Sequence, residues 1–329
     1  MRSALHVGPC ETPGGMAKVI EILSQNPPHG WSTKTHTTHV TGNPLQKYLF
    51  HKKALAKFSH LIKGNSRPNL VHIHTAADWS WKRKSRYVKV CQRFNIPCIV
   101  HIHSGKFDTW LGSQSSKKCA NFRKITSNEN CQVVVLTEGW SERLTPLIGD
   151  CAVVNNPIDP KIKFDPNNVR KTKQLLLLGR NDSVKGHEFA ISVFNRLKLN
   201  DPEVEMVITG TDKFKLPGVR SENWLSEKEK IDQLQQSSVM LIPSLYEGQP
   251  MTMLEALYCG LNCVVSDKII DVPDVAIQAK YGDIEDWIDK ISTTLKNPRD
   301  SKLLHDYISK HSTEKINERW KLIYDRLTD

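Results

Sequence analysis

The sequence predicts an α/β protein made of two doubly wound, Rossmann-like domains, and three observations carry that prediction. The first is length: 329 residues suit about two domains of roughly 100–200 residues each. The second is alternation, in which short runs rich in Val, Ile and Leu take turns with amphipathic stretches, as in parallel sheets covered on both faces. The third is a break and a restart. Asn156-Pro-Ile-Asp-Pro-Lys161 and Asp165-Pro-Asn-Asn168 read as a linker, after which the alternation begins again. The expected domains are 1–160 and 161–311. Ligands of such sheets sit beyond the carboxyl ends of the strands, so the expected site is a cleft faced by both domains.

Taken in order, Leu5–Gly8 is the first expected strand. Met16–Ser24 is a helix, with Met16, Val19, Ile20 and Leu23 at helical spacing. After the turn Arg67-Pro-Asn69 come a strand at Leu70–His74, a basic helix at Arg86–Phe94 and a strand at Ile96–His103. Val133–Thr137 is a further strand and Ala152–Asn155 a short one. Beyond the linker, strands at Gln174–Gly179, Glu205–Thr209, Val239–Pro243 and Asn262–Ser266 alternate with helices at Glu188–Lys198, Glu227–Gln236 and Met251–Tyr258. Asp286–Leu295 and Ser301–Leu327 close the chain as helices.

Composition narrows the function. Hydrophobic residues are 39% and charged residues 25%, as in ordinary globular chains. No run of about 18 apolar residues predicts a membrane span, and the polar N-terminus does not read as a secretory signal. The net charge of +11 is unevenly placed: residues 1–165 hold 23 Lys+Arg against 10 Asp+Glu, and residues 166–329 hold 23 against 25. Such an excess is a footprint for phosphate-rich partners: an anionic membrane, nucleic acid or an anionic small molecule. The eight cysteines form no Cys-x-x-Cys pair. They read as small buried hydrophobes of a reducing cytosol, and no zinc pattern is present.

Several segments carry chemistry. Glu247 precedes a helix opened by Pro250 and capped by Gly260, and Glu255 lies in its second turn. Two carboxylates flanking a helix N-terminus suit a ligand with hydroxyls at both ends and anionic charge between. Gly179-Arg180 to Lys185-Gly186 follows a strand and opens a helix; its two cations can converge on a phosphate. Gly14-Gly15 forms a glycine turn after the first strand. His72, His74, His101 and His103 form two His-x-His pairs at strand ends, one member of each expected to face the ligand and the other to be structural. No Asp-x-Asp occurs, so a bound diphosphate would be met by protein cations and helix ends.

Together these segments resemble the GT-B retaining glycosyltransferases of family 4, the group 1 glycosyltransferases. The resemblance covers nearly the whole chain and is densest from 174 to 266. Its most specific element is E-x7-E, Glu247 to Glu255, within Pro243-Ser-Leu-Tyr-Glu-Gly-Gln-Pro-Met-Thr-Met-Leu-Glu-Ala256. Gly179-Arg180 to Lys185-Gly186 resembles the family's diphosphate clamp, Asn155-Asn-Pro-Ile-Asp159 its linker motif, and Thr137-Glu138 its Ser-Glu pair. Asp267-Lys-Ile-Ile-Asp271 stands where the family has a glycine-rich loop.

The resemblance implies a metal-independent sugar transferase with no cofactor, which takes a UDP- or GDP-sugar and keeps the anomeric configuration. Arg180 and Lys185 would hold the diphosphate, Glu247 the sugar hydroxyls and Glu255 the ribose, with His103 (or His101) near the reacting carbon. Gly14, Gly15, Gly210, Gly248, Gln249, Pro250, Met251 and Thr252 would complete the donor site. The helix at about 312–329 would return to the first domain, with Trp320, Leu322, Ile323 and Leu327 as its apolar face. The expected acceptor is a glycan or lipid-linked molecule, or another anion, taken by the basic first half. That half would also dock on the cytoplasmic face of an anionic membrane, through Lys47–Lys63 and Lys82–Arg93. Rival readings are a nucleic-acid binder, suggested by Trp79-Ser-Trp-Lys-Arg-Lys-Ser-Arg-Tyr87, and another GT-B enzyme such as a nucleotide-sugar epimerase or a phosphorylase.

Overall fold

The computed structural model describes all 329 residues. They form two compact units: Met1–Pro157 with Thr313–Asp329, and Ile158–Ser312.

The first unit is a six-stranded parallel sheet in the order β2-β1-β3-β4-β5-β6. Its strands are β1 (Arg2–Gly8), β2 (Trp31–Thr37), β3 (Leu70–Thr75), β4 (Cys98–Ile102), β5 (Cys131–Val135) and β6 (Ala152–Val153). Helices α1 (Gly15–Gln25), α2 (Pro44–Lys63), α3 (Trp79–Arg93), α4 (Phe107–Leu111), α5 (Lys117–Thr126) and α6 (Glu138–Ile148) connect them. All six residues of β3 and all five of β4 are buried, which explains why they read as continuous apolar runs broken only by histidine. A Cβ at Gly8, which ends β1, would lie 2.2 Å from Ile20 Cδ1, the end of a side chain on α1 that would have to shift.

The second unit repeats the plan in the order β12-β11-β10-β7-β8-β9, again all parallel. Its strands are β7 (Gln174–Leu177), β8 (Glu205–Thr209), β9 (Val219–Glu222), β10 (Val239–Ile242), β11 (Asn262–Ser266) and β12 (Ile277–Ala279). Its helices are α7 (His187–Asn200), α8 (Glu227–Gln236), α9 (Met251–Tyr258), α10 (Ile284–Lys296) and α11 (Ser301–Ile308). One apolar layer packs Leu176, Met240 and Val265 against α9 and α11. The other packs Leu175, Leu241 and Val264 against α7 and α10.

Three differences from the sequence reading have physical causes. The edge strands β2, β9 and β12 were not expected, because Trp31–Thr37, Val219–Glu222 and Ile277–Ala279 carry little apolar alternation. The basic helix starts at Trp79 rather than Arg86: its buried stripe, Trp81, Lys84, Val88 and Cys91, runs through a lysine. The stretch Ser301–Leu327 is not one helix. A 3-10 turn at Ser309–His311 and an extended Ser312 (φ −54°, ψ 145°) separate α11 from α12 (Thr313–Thr328).

The apolar face of α12 also differs. Ile316, Trp320, Ile323 and Tyr324 are buried at i, i+4, i+7 and i+8, whereas Leu322, on the opposite side of the turn, is 73% exposed. In α2, Phe58 is part of the core, and the exposed apolar side chains are Leu45, Tyr48 and Leu49.

Candidate active site

The sheet order of the second unit marks its own ligand end. From β7 the chain moves outward through β8 to β9, then returns to the other side of β7 for β10, β11 and β12. The order reverses between β7 and β10, and such switch points hold ligands at the carboxyl ends of the strands. The two loops at this point are Leu178–Gly186 and Pro243–Pro250.

They are locked together. Leu245 N donates to Val184 O at 2.8 Å. Gly186, left-handed at φ 71°, caps α7 where a Cβ would meet Pro243 O at 2.6 Å. Lys185 Nζ lies 2.5 Å from Glu247 Oε1, and Ser244 Oγ donates to the same oxygen at 2.8 Å. One carboxylate oxygen is thus held by a cation and a hydroxyl, and its direction is fixed.

A third loop, after β8, seals the floor. Gly210 (φ 87°) lies so close to the β7 loop that a Cβ would sit 2.1 Å from Gly179 O and 2.6 Å from Asn181 N. Thr209 Oγ1 accepts from Gly179 N at 2.9 Å, and buried His187 bonds Thr209 O at 2.8 Å. Burial holds the His187 imidazole below its ordinary pKa. Arg180 is exposed.

Helix α9 begins at Met251 with Pro250 at its N-cap, so the N–H groups of Met251 and Thr252 lie in its first turn. Gly248 and Gln249 lie in the loop just before it. Glu255 is buried in the second turn, and Lys230 Nζ from α8 reaches its Oε1 at 3.1 Å and Glu227 at 3.3 Å. Ser244 and Lys230 were absent from the sequence reading. Ser244 is three residues before Glu247 and was within reach of it. Nothing in the sequence linked Lys230 to Glu255 across 25 residues.

In the first unit the order reverses between β1 and β3, and the histidines gather there. His6 pairs in register with His72, and His74 with His101. Two hydrogen-bonded chains result. In one, His103 Nε2 meets His74 Nδ1 at 3.0 Å, and His74 Nε2 meets His6 Nδ1 at 3.0 Å. In the other, His101 Nδ1 meets His72 Nε2 at 3.1 Å, and His72 Nδ1 meets Tyr324 Oη of α12 at 2.7 Å.

His72, His74 and His101 are all buried, so neither member of the first His-x-His pair is open to a ligand, against the expectation. Residues i and i+2 share a face of a strand, and in β3 that face is wholly covered. His103, just past β4, is half-buried. Burial pushes His6 and His103 down to about 3 and the other three well below the usual imidazole range.

The polarity of the first chain follows from its dead end. A neutral imidazole has one donor and one acceptor nitrogen, and His6 Nε2 is buried without a partner. Orphaned buried N–H groups are rarer than under-satisfied acceptors. If His6 Nε2 is the lone pair, His6 donates to His74, His74 donates to His103 Nε2, and His103 carries its proton on Nδ1. Within each of two triads, His6–His72–His74 and His74–His101–His103, one ring nitrogen per residue lies within 4.8 Å of the others. No carboxylate or thiolate joins them, so a divalent ion there would be buried without an anionic ligand.

Gly14 (φ 143°) caps the N-terminus of α1 and Gly15 is its first residue; a Cβ at Gly14 would have open space around it. Position 14 thus demands glycine for its backbone angle, not for closeness to other protein atoms.

These two parallel sheets define an α/β protein of the GT-B fold. The solved structure of a sucrose-phosphate synthase from Thermosynechococcus elongatus has the same architecture: TM-score 0.78, 15% identity, 99% of each chain covered. Residues 159–313 match the family model of glycosyl transferases group 1. A glycogen synthase of Mycobacterium tuberculosis is 24% identical over 222 residues, 61% of this chain. The chain spans about half, 52%, of that relative's length. A putative glycosyltransferase, EpsF, of Bacillus subtilis is 31% identical over 112 residues, which are 30% of this chain and 29% of the relative.

Proposed function

We propose that the chain is a glycosyltransferase that moves a sugar from a nucleotide-diphosphate donor to an anionic acceptor, with retention of configuration and without a metal. The observation that carries this reading is the pair at the switch point of the second unit, Lys185 held on Glu247 directly before the N-terminus of α9. A donor diphosphate would be met there by Lys185, the exposed Arg180 and the N–H groups of Met251 and Thr252. Those groups offset charge that grows on the leaving phosphate, which lowers the barrier more than it tightens binding. Glu247, fixed by Ser244 and Lys185, would accept from sugar hydroxyls. Glu255 would do the same for the ribose once Lys230 releases an oxygen. His103 would donate from Nδ1 to an oxygen of the sugar. Its depressed pKa suits a neutral hydrogen-bond donor rather than an acid.

Titration calorimetry with UDP, GDP and ADP tests the donor site; binding of none of the three would remove the reading's support. A donor screen read by nucleoside-diphosphate release identifies base and sugar, and the anomeric NMR coupling of the product tests retention. The basic first unit supports peripheral docking on anionic lipid. Leu45, Tyr48, Leu49 and Trp79 are exposed beside Lys47, Lys52 and Lys82, with Lys82 Nζ 4.3 Å above the Trp79 ring. Flotation with acidic liposomes, but not with neutral ones, is the expected result.

A further inference from the structure

The first unit contains a second polar cluster, separate from the histidine chains, that has donors in excess and almost no acceptors. Between residues 12 and 107 the sequence holds 15 Lys+Arg but only two acids, Glu21 and Asp78. Within that stretch, α3 carries Lys84 inward, 1% exposed. Its Nζ donates to Thr38 Oγ1 at 2.7 Å. Thr38 follows β2, and its N–H and hydroxyl both donate to Gly8 O, at 2.9 and 3.1 Å. The ammonium therefore lies at the carboxyl ends of β1 and β2, the ligand end of the sheet.

No carboxylate answers it. Lys84, Arg83 and Arg86 form no ion pair, and Glu11, on the loop after β1, is exposed and accepts from Thr37 Oγ1 at 2.9 Å. The surrounding groups add more donors. Arg86 Nη1 lies 3.1 Å from His51 Nε2. Arginine can only donate, so His51 accepts at Nε2, and as a neutral ring it carries its proton on Nδ1. That nitrogen is buried without a partner, as are Arg83 Nε and Tyr87 Oη. Arg83 and Tyr87 are one turn apart on α3, on the same side of the helix.

The group's electrostatics agree. Burial, with Arg83 beside it, pushes the Lys84 ammonium down to about 7. Burial and then Arg86, Arg83 and Lys84 push His51 down to about 4. Burial and then Arg83, Lys47 and Lys84 lower half-exposed His39. A buried ammonium with one hydroxyl partner is costly by itself, and a tetrahedral oxyanion supplies the acceptors that this set of donors lacks.

We propose that Lys84, Arg83, Arg86 and His51 form a binding site for a phosphate group, and that this group belongs to the acceptor. Arg86, exposed, and Arg83, half-exposed, form its mouth, and Lys84 its floor. The assignment to the acceptor rests on the transferase reading above, whereas phosphate binding itself does not. The phosphate ester can be soluble or a lipid headgroup, since the site recognises the same oxygens.

The test is titration of the full chain with inorganic phosphate and glycerol phosphate at fixed ionic strength, and with phosphatidic acid vesicles against phosphatidylcholine vesicles. Two variants accompany it, Arg86→Gln at the mouth and Lys84→Met at the floor. Each is expected to weaken phosphate binding by about ten- to a hundredfold and to leave UDP binding unchanged. Lys84→Met should melt at or above the wild-type temperature in phosphate-free buffer, because it removes an uncompensated buried charge. A lysine that merely holds the fold would give the opposite shift. If Lys84→Met does not fold, Arg86→Gln alone decides the binding arm. Saturation by glycerol phosphate identifies a soluble ester, and saturation only on phosphatidic acid vesicles a lipid headgroup. Equal phosphate binding by wild type and Arg86→Gln, or no binding in any arm while UDP still binds, would overturn the site without touching the donor reading. Loss of UDP binding with phosphate binding intact would overturn only the donor reading.

Discussion

Lys185 and Glu247 are 62 residues apart in sequence and 2.5 Å apart in space, and the proposed donor chemistry depends on that pair. Lys185→Ala is expected to lower kcat/KM by about 10²–10³-fold, the usual cost of one preorganised oxyanion partner, measured by nucleoside-diphosphate release. Gly210→Ala would place a methyl group 2.1 Å from Gly179 O at φ 87°. It should destabilise the second unit by about 1–3 kcal/mol from backbone strain alone, read from urea midpoints. His103 should show the Nδ1–H tautomer in its ¹⁵N shifts and keep it in His74→Asn, whose amide nitrogen takes the place of Nδ1. Loss of that tautomer in His74→Ala, with UDP binding intact, is the result expected of a positioning role. These residues were legible in different degrees. Glu247, Arg180 and Lys185 stand in a motif, and Gly186 and Gly210 in turn signals. Lys84 and His6 reveal themselves only by what surrounds them, because burial without a counter-charge has no sequence spacing.

At the level of elements, the central strands were readable because burial on both faces makes Val, Ile and Leu runs continuous, as in Val239–Ile242 and Asn262–Ser266, whereas the reading named no helix at α2, α4, α5 or α6. The boundaries of α8, α9, β8 and β11 agree with the sequence reading, and each is bounded by Ser, Pro, Asp or Gly. Edge strands failed for the converse reason: β2 and β9 pair on one side only and need no apolar alternation. Helix α12 gives a measurable contrast. Trp320 is buried against His72, with ring centroids 4.4 Å apart. Trp320→Ala should destabilise the first unit by about 3–5 kcal/mol, whereas Leu322→Ala should change thermal stability by no more than about 0.5 kcal/mol. Equal effects at the two positions would show that the helix face is wrongly assigned.

At the level of the whole molecule, acid should unfold the protein through its first unit. His6, His72, His74, His101 and His103 titrate lower when folded than when unfolded. The unfolded chain then binds more protons, so stability is full above about pH 6.5 and is lost as pH falls below it, down to about 3 for His6 and His103. Lys84 has the same sign over a higher window, from its ordinary value of 10.5 down to about 7. Thiols act oppositely: half-buried Cys151 and buried Cys259 are pushed up to about 12, so stability falls again above about pH 9. Urea midpoints should therefore rise from about pH 7 to a maximum near about pH 9, and drop steeply below pH 6. A flat profile between pH 4 and 7 would contradict the buried neutral histidines.

Length, alternation and punctuation by themselves determined two doubly wound sheets, and charge counting placed the basic excess in the first half, because each of those properties is local or additive along the chain. The tertiary structure decided where the sheets reverse, and hence which loops meet. It set Lys185 on Glu247, Lys230 on Glu255 and a terminal tyrosine on His72. It also turned a diffuse excess of positive charge into one buried ammonium with no carboxylate beside it. Coulomb and desolvation energies depend on distance and burial, and chain folding sets both without regard to separation in sequence.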